Sequence, residues 1–410
     1  MSKIKIVNYK GQCMNISRRF FLGGAVSSFA CYVFANQSQH LTLANDNKVA
    51  DAMSTEIGDA YKQSVNGENV SLLSFLNKEK TEALNVHGNE VDITNEFNDA
   101  LKNNVMKIYF PPQKGIYVLD GENIVLPVGF SMFGDSKKIY NVKSSKSFND
   151  SGTVIRIAKN SKRLFSMTGN HIFFGINFDG INRHNYFMQS TEKRIKNCKF
   201  VNCGFYRWKA GVGNSSYCAT LSLFNCIITS NYIGIMNVID SSIINSIVNA
   251  NLADGVRLMK GANNNSFLGV RNEWNGATNY FSSGATQNIV TGELVDRAGK
   301  NGFVALNGGS WLVNSVIVKR SGRNADDSSH DSAHFYVDGE NSSIILSGVK
   351  TLAGRDDGNT GHLSPQHSLI IGSEGAAKII IGSSDLTGSV GEPIIGIEKA
   401  KEKSISGLIQ

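Results

Sequence analysis

Proline is scarce in this 410-residue chain, at five residues, and tryptophan scarcer still, at three. So little proline excludes a proline-rich disordered or polyproline architecture. Six cysteines, with Cys13 and Cys31 near the start, are too few for a disulfide scaffold. Beyond Phe20 to Ala35, no apolar run approaches the length of a bilayer span. No nucleic-acid-binding motif occurs, so the formal net charge of +7 points to acidic partners in general, with nucleic acid not among them. His330 and His334 form a His-x3-His pair without helix context, a pattern of solvated loops more than of metal sites, and His362 and His367 add nothing to it. No metal site is expected there. What the chain has in quantity is glycine, 41 residues, with aliphatic residues spread evenly along it. That composition describes many turns around a long, thin core.

The turns recur. Small residues at Gly175, Cys198, Cys226, Ser246, Gly269, Gly292 and Ser315 are separated by 23, 28, 20, 23, 23 and 23 residues. Extending the register reaches Gly348 and Gly382, with steps of 33 and 34 residues. Each unit holds short strand-like pieces, such as Ser242 to Val248 and Gly255 to Leu258, around an Asn or Gly turn. One such unit cannot bury its own apolar side chains, but a stack of equivalent units can. A β-sandwich also has regular turns, yet it rarely returns one residue class to one place at a fixed interval. The pattern predicts an all-β fold, a right-handed single-stranded parallel β-helix. Asparagine suits its corners because it tolerates left-handed backbone.

The first 35 residues read as an export signal. A basic segment ends in Ser17-Arg18-Arg19-Phe20-Phe21-Leu22, followed by an apolar stretch and a cleavage-like Val33-Phe34-Ala35. This predicts passage through the twin-arginine translocase to the periplasm or outside of a bacterial cell. Residues 36–90 are expected as a polar linker, within which 70–84 could form a short helix. The β-helix domain is expected over 91–398 and a tail over 399–410. Asp92 to Asn104 has the spacing of an amphipathic helix, with Ile93, Phe97, Ala100 and Leu101 on one face. It would lid the open end of the first coil.

After this helix come Tyr109-Phe110-Pro111-Pro112, Gly115-Ile116-Tyr117, Leu126-Pro127-Val128-Gly129 and Phe133-Gly134-Asp135. This order resembles the opening turns of the pectate-lyase superfamily, in the branch of rhamnogalacturonases, polysaccharide epimerases and phage tailspikes. With a twin-arginine signal ahead of it, the layout is also similar to the periplasmic β-helix proteins of colanic-acid biosynthesis. The resemblance implies a bacterial surface or extracellular polysaccharide as partner and a monomer or homotrimer. Tailspikes normally add a sizeable C-terminal trimerisation domain, and with Glu398 to Gln410 alone after the last recognisable coil the tailspike relation is the less expected one. Chemistry is not implied to the same degree, because members of this superfamily cleave, epimerise or only bind glycans.

Counting four residues on from each small residue reaches Asp179, Asn202, Ser230, Ala250, Glu273 and Asp296. Equivalent positions on successive coils lie about 4.8 Å apart, so Glu273 and Asp296 form a candidate carboxylate pair of the kind that retaining glycosidases use. Trp274 and Arg297 follow them, an indole to stack on a sugar and a guanidinium for an acidic one. Arg271 joins as a substrate contact. A lyase reading uses Arg257, Arg271 or Arg297 as base and calcium to acidify the proton beside a uronate; otherwise no cofactor is expected. Longer steps mark insertions, and in repeat proteins these gather on a binding face. They are Tyr206 to Lys209, which adds Trp208 as a substrate contact, Gly322 to Asp331, and Arg355 to His362. Cys198 and Cys226 are expected in one column, as a thiol ladder or a bridge, and Cys203 and Cys218 flank the Trp208 loop, which a bridge between them could close in an oxidising compartment. The expected function is glycan cleavage by hydrolase or lyase chemistry, with a non-catalytic accessory role in exopolysaccharide assembly as the alternative and a prophage depolymerase as a third reading.

Overall fold

The computed structural model describes residues 3–7, 13–17, 69–190, 194–373 and 377–409. The chain divides into two units, Met1–Asn69 and Val70–Gln410. In the first, Lys3–Val7 and Cys13–Ser17 pair antiparallel. The rest of the expected export signal, from Arg18 to Ala35, lies outside the described residues, as does 36–68. Among the described residues no helix is long and apolar enough to cross a membrane.

The second unit is a parallel β-helix, and the expectation of an all-β right-handed solenoid holds. Three strips of strands run along it, two of them joined in a 24-stranded sheet and the third an 11-stranded sheet. One coil shows the pattern: Ser266–Leu268 in the first strip, Arg271–Glu273 in the second, Tyr280–Ser283 in the third. Each pairs in parallel with its counterpart on the next coil, Phe267 with Val290, Asn272 with Val295 and Tyr280 with Phe303. A parallel crossover of this kind is right-handed for L-residues. Alternation sends the middle residue of each short strand inward, so Phe178, Phe205, Ile228, Val248, Val295 and Val318 build one buried column. In the other two strips aromatic rings stack coil on coil, Phe173 on Phe200 at 5.1 Å and Phe303 on Phe335 at 5.2 Å.

The unit begins earlier and ends later than the sequence suggested. Val70–Ser71 pairs with Ile108–Tyr109, so 70–90 is not linker but the first partial coil. Helix α1, Lys78–Leu84, starts at Asn77, whose side chain accepts the Lys80 amide at 2.9 Å. Helix α2, Thr94–Lys102, buries Phe97 and Ala100 over the open end, as expected of a lid. At the other end Glu402–Ile409 pairs in parallel with Lys378–Asp385. These residues are a further rung, not a tail.

The corners explain the repeat. Between the first and second strips, Gly175, Asn202, Asn225, Asn245, Gly269, Gly292, Ser315 and Gly348 all have positive φ. Asparagines here also pair across coils, as Asn225 Nδ2 donates to Asn202 Oδ1 at 2.6 Å. A second left-handed corner follows the second strip, at Arg207, Ser230, Ala250, Trp274, Arg297 and Arg320. Behind it runs a buried ladder in which Asn231 Nδ2 donates to Asn251 Oδ1 at 3.1 Å and Asn251 Nδ2 to Asn275 Oδ1 at 2.9 Å. Each carboxamide satisfies backbone that the sharp bend leaves unpaired.

Two sequence registers need correction. The true successor of Gly175 is Asn202, because Phe174 pairs with Val201; Cys198 belongs to a different corner, after Asn197. Cys226 therefore follows Cys203 in its column, not Cys198. Cys198, Cys203, Cys218 and Cys226 are all buried free thiols. Burial pushes the thiols of Cys198 and Cys226 up to about 12, so neither is a nucleophile. Nor is Tyr206 to Lys209 an inserted loop. Tyr206 ends a second-strip strand, and Trp208 is fully buried, its Nε1 donating to the Phe178 carbonyl at 3.1 Å.

Two measurements follow. Asn251→Ala strands the Asn231 and Asn275 groups it served, so reversible urea unfolding should show a loss of about 2–3 kcal/mol; a loss under about 0.5 kcal/mol, the level of a surface change, contradicts the ladder. Glu293 is fully inside the core and accepts from Tyr280 Oη at 2.5 Å. Burial raises its carboxyl well above the ordinary range, against the Tyr280 hydrogen bond. A raised folded pKa favours the fold while the group stays protonated, so its contribution is full below the unfolded value and is lost as pH rises. Wild-type Tm should fall from about pH 5 towards pH 8 more steeply than that of Glu293→Gln. Parallel slopes would sink this assignment.

Candidate functional site

The outward residue at the end of each second-strip strand forms a column: Asp179, Tyr206, Thr229, Asn249, Glu273, Asp296 and Lys319. Glu273 and Asp296 are register partners on adjacent coils, as the spacing predicts. Asn202, Ser230 and Ala250 are not in this column; they are left-handed corner residues. The reason is that the corner residue keeps the register, and counting from Cys226 and Ser246, one position later, overshoots by one.

Along most of its first half this face is covered. The segment 136–151 folds across it, and Val142 and Phe148 pack on Tyr206 and Ile227. The cover reaches Ile247, which is only partly buried against it. One coil further on, Arg271 is exposed. The insertions after Arg320 and Leu352 both leave the corner that follows the second strip, so they rise beside the uncovered coils.

Asp296 is 1 % exposed and held from three directions. Arg320 reaches it with both arms, Nε to Oδ1 at 3.0 Å and Nη2 to Oδ2 at 2.6 Å. Arg297 Nη1 donates to Oδ2 at 2.7 Å, and Lys319 Nζ lies 3.5 Å away. Glu273 is 8 % exposed and has Arg271, half exposed itself, at 3.0 Å. Beside them the guanidinium of Arg297 lies 4.5 Å over the Trp274 ring, and that of Arg323 5.4 Å away. Burial works to lower the Arg320 pKa, but Asp296 and Asp357 outweigh it and hold the group above its ordinary value. Burial and the neighbouring Arg297 lower that of Arg323, opposed by Asp356. The site is a cationic cluster threaded by carboxylates.

The Asp296–Arg320 clasp has a twin. Asp179 is fully buried, and Arg207, from the corner one coil on, reaches it with Nε at 2.7 Å and Nη2 at 2.5 Å. Arg156 Nε closes that network at 2.6 Å, and both guanidiniums lie over the Phe148 ring. Asp179 sits under the cover of segment 136–151 with no carboxylate next to it in the column. A bidentate Asp–Arg pair between coils is therefore a structural device of this fold, and Asp296 is fixed by it.

Of the expected site residues, Glu273, Asp296, Arg271, Trp274 and Arg297 come together. Trp208 does not, being part of the core. Arg257 does not either: it lies in the third strip and pairs with Asp254 at 2.5 Å. Lys319, Arg320, Arg323 and Asp357 were missed. One further 23-residue step from Asp296 and Arg297 reaches Lys319 and Arg320, so half of that signal was in the sequence. His334 is buried, bonded to Ser321 Oγ and the Gly388 carbonyl at 3.0 Å each, and lowered to about 3 by burial. His330 stands instead by Asp331. Among the described residues no group of His, Cys, Asp and Glu is placed to hold a metal ion.

No family model matches the chain. The fold is similar to that of the A-module of a mannuronan C-5 epimerase from Azotobacter vinelandii, with TM-score 0.53, 10 % identity, and 83 % of this chain and 99 % of that one covered. It is also similar to DFA-IIIase from Arthrobacter chlorophenolicus, with TM-score 0.51, 12 % identity, and 80 % and 90 % covered. A tailspike protein of an Escherichia coli bacteriophage matches with TM-score 0.55 and 12 % identity over 83 % of this chain and 46 % of that chain. These likenesses establish the parallel β-helix.

Removing the Asp296 charge leaves Arg297 and Arg320 without their buried partner. Asp296→Asn should cost about 3–5 kcal/mol in denaturant unfolding, and Asp179→Asn a similar amount. Glu273→Gln, whose partner is solvated, should cost about 1 kcal/mol or less. Equal losses for Glu273 and Asp296 would contradict the difference in their surroundings.

Proposed function

We propose that this protein is an exported β-helix that binds an acidic bacterial polysaccharide along the uncovered part of its second strip. The observation that carries this reading is the pair of parallel columns, Glu273, Asp296 and Lys319 beside Trp274, Arg297 and Arg320, on three successive coils. Such columns repeat at about 4.8 Å, so the groups at their outer edge stand at a regular spacing along a linear polymer. The indole supplies an apolar edge and the arginines a preference for carboxylate or other acidic substituents. The protein's neighbours in fold include an enzyme whose name gives a polysaccharide substrate, an epimerase of mannuronan, beside a DFA-IIIase and a phage tailspike. That supports the ligand class and not the chemistry. The twin-arginine sequence supports a periplasmic or secreted location.

Cleavage is the second reading, favoured by one observation: Glu273 stands directly opposite Asp296. In it Glu273, with its single exposed partner, carries the proton. Asp296 acts as the fixed anion that orients Arg297 and Arg320. The saturation of Asp296 by arginine, and its twin at Asp179, weigh towards binding without turnover.

Purified protein incubated with uronate-containing polysaccharides and with a neutral glucan separates these readings. Retention of acidic chains without shortening is expected, and Trp274→Ala should weaken it about tenfold. New reducing ends would mean hydrolysis, and an unsaturated-uronate absorbance a lyase, each tested by its loss in Glu273→Gln. If acidic and neutral chains are retained equally poorly, the binding reading fails.

A further inference from the structure

The hairpin Gly354–Asp356 with Thr360–Ser364 carries Asp357 at its tip. The Asp357 carboxylate is 73 % exposed, yet one of its oxygens is shared by the two guanidiniums of the site. Oδ1 accepts from Arg297 Nη2 and lies 3.4 Å from Arg320 Nη1. These are the same arginines that clasp Asp296, so the outer side of each is turned to Asp357.

Apart from Asp357 the hairpin is held by polar contacts alone, among them the attraction of Asp356 to Arg323. From Gly354 to Leu363 it has no buried residue, and Leu363 is exposed. His362 Nε2 meets the Gly322 carbonyl at 3.1 Å, and Arg320 Nη1 the Arg355 carbonyl at 3.5 Å. The hairpin's own bond, from Arg355 to the Gly361 carbonyl, does not tie it to the coils. A segment without buried apolar surface opens locally at small cost. The buried clasp at Asp179 makes the comparison: its arginines are covered by segment 136–151 through Phe148. There Arg156 also meets a solvent-exposed acid, Glu90 at 2.6 Å, but on a strand paired into the coils; at Asp296 the outward acid sits on a weakly held hairpin.

We infer that Asp357 is a built-in stand-in for the acidic group of the ligand, occupying the Arg297–Arg320 cradle until an anionic sugar displaces it and frees the hairpin. This inference rests on the acidic-polysaccharide reading and adds two things to it. The group recognised there is an anion of carboxylate size, since one carboxylate oxygen already fits between both guanidiniums. A neutral sugar cannot replace the charge it would have to expel, so the contact works as a filter for acidic chains.

The test compares wild type with Asp357→Asn, in two measurements. Without any sugar, hydrogen exchange of the amides of 354–364 should be faster in Asp357→Asn, while exchange in the neighbouring coils is unchanged. Equal exchange in the hairpin overturns the inference whether or not any ligand is found. In titrations with oligogalacturonate and with carboxyl-reduced oligogalacturonate, the variant should bind the acidic oligomer about three- to tenfold tighter than wild type. The reduced oligomer should gain nothing. If wild type binds the acidic oligomer and the variant binds it equally, the stand-in is refuted and the binding reading survives. If neither binds but the hairpin loosens as expected, the binding reading fails for this anion and Asp357 is left as a fastening alone, which also refutes the stand-in.

Discussion

Every other feature depends on the vertical registration of one coil over the next. It is not secured by strand pairing alone, since strands of three residues, such as Arg271–Glu273, would slip easily. The corners secure it. A residue in left-handed backbone must fall at the same place on every storey, and behind it the Asn231, Asn251 and Asn275 carboxamides lock one bend to the next. Trp274, Arg297 and Arg320 occupy that left-handed corner at φ 58°, 48° and 52°. For a bulky residue such backbone is uncommon, and the fold imposes it: Ala250 and Ser230 adopt it on the preceding coils with no functional side chain to display. The strain belongs to the solenoid, and the site uses a position that the solenoid had already bent outward.

Charge is arranged by the same registration. An aspartate at the end of one strand and an arginine at the corner of the next coil meet as a two-armed pair wherever the sequence supplies both. This happens at Asp179 with Arg207 and again at Asp296 with Arg320. The first lies under Phe148, with Arg156 also paired to Glu90. The second lies beyond the cover, with Trp274, Lys319 and Arg323 around it. Chemistry-bearing residues are thus not enough to mark a site in this fold; what distinguishes the two clusters is where the covering segment stops, at Ile247.

Much of this was legible in the residues. The recurrence of small and Asn positions gave the solenoid, and the 23-residue step between Glu273 and Asp296 gave their adjacency. The amphipathic pattern of 92–104 gave the lid. The misreadings share a cause. Gly and Asn at a left-handed corner look the same in a sequence as the small inward residue beside them, so step-counting puts Cys198 under Cys226 and Trp208 in a loop. Periodicity also says nothing of contacts between positions that are not equivalent. Asp357 lies in an insertion with no counterpart on other coils, and only coordinates show that it meets Arg297. The role of Asp296 changed for the same reason, because three cations converge on it from different parts of the repeat.

The paired clasps have a mechanical consequence. A solenoid is coupled only between neighbouring storeys, so it can come apart like a zip, starting from either end. The two bidentate pairs each span one storey join on that path, Asp179 with Arg207 and Asp296 with Arg320. Peeling that begins at Glu402–Ile409 reaches the second join first, and there water takes up both charges as they part. The storey of Lys319 and Arg320 is thus where fraying from that terminus first breaks the spacing of the site.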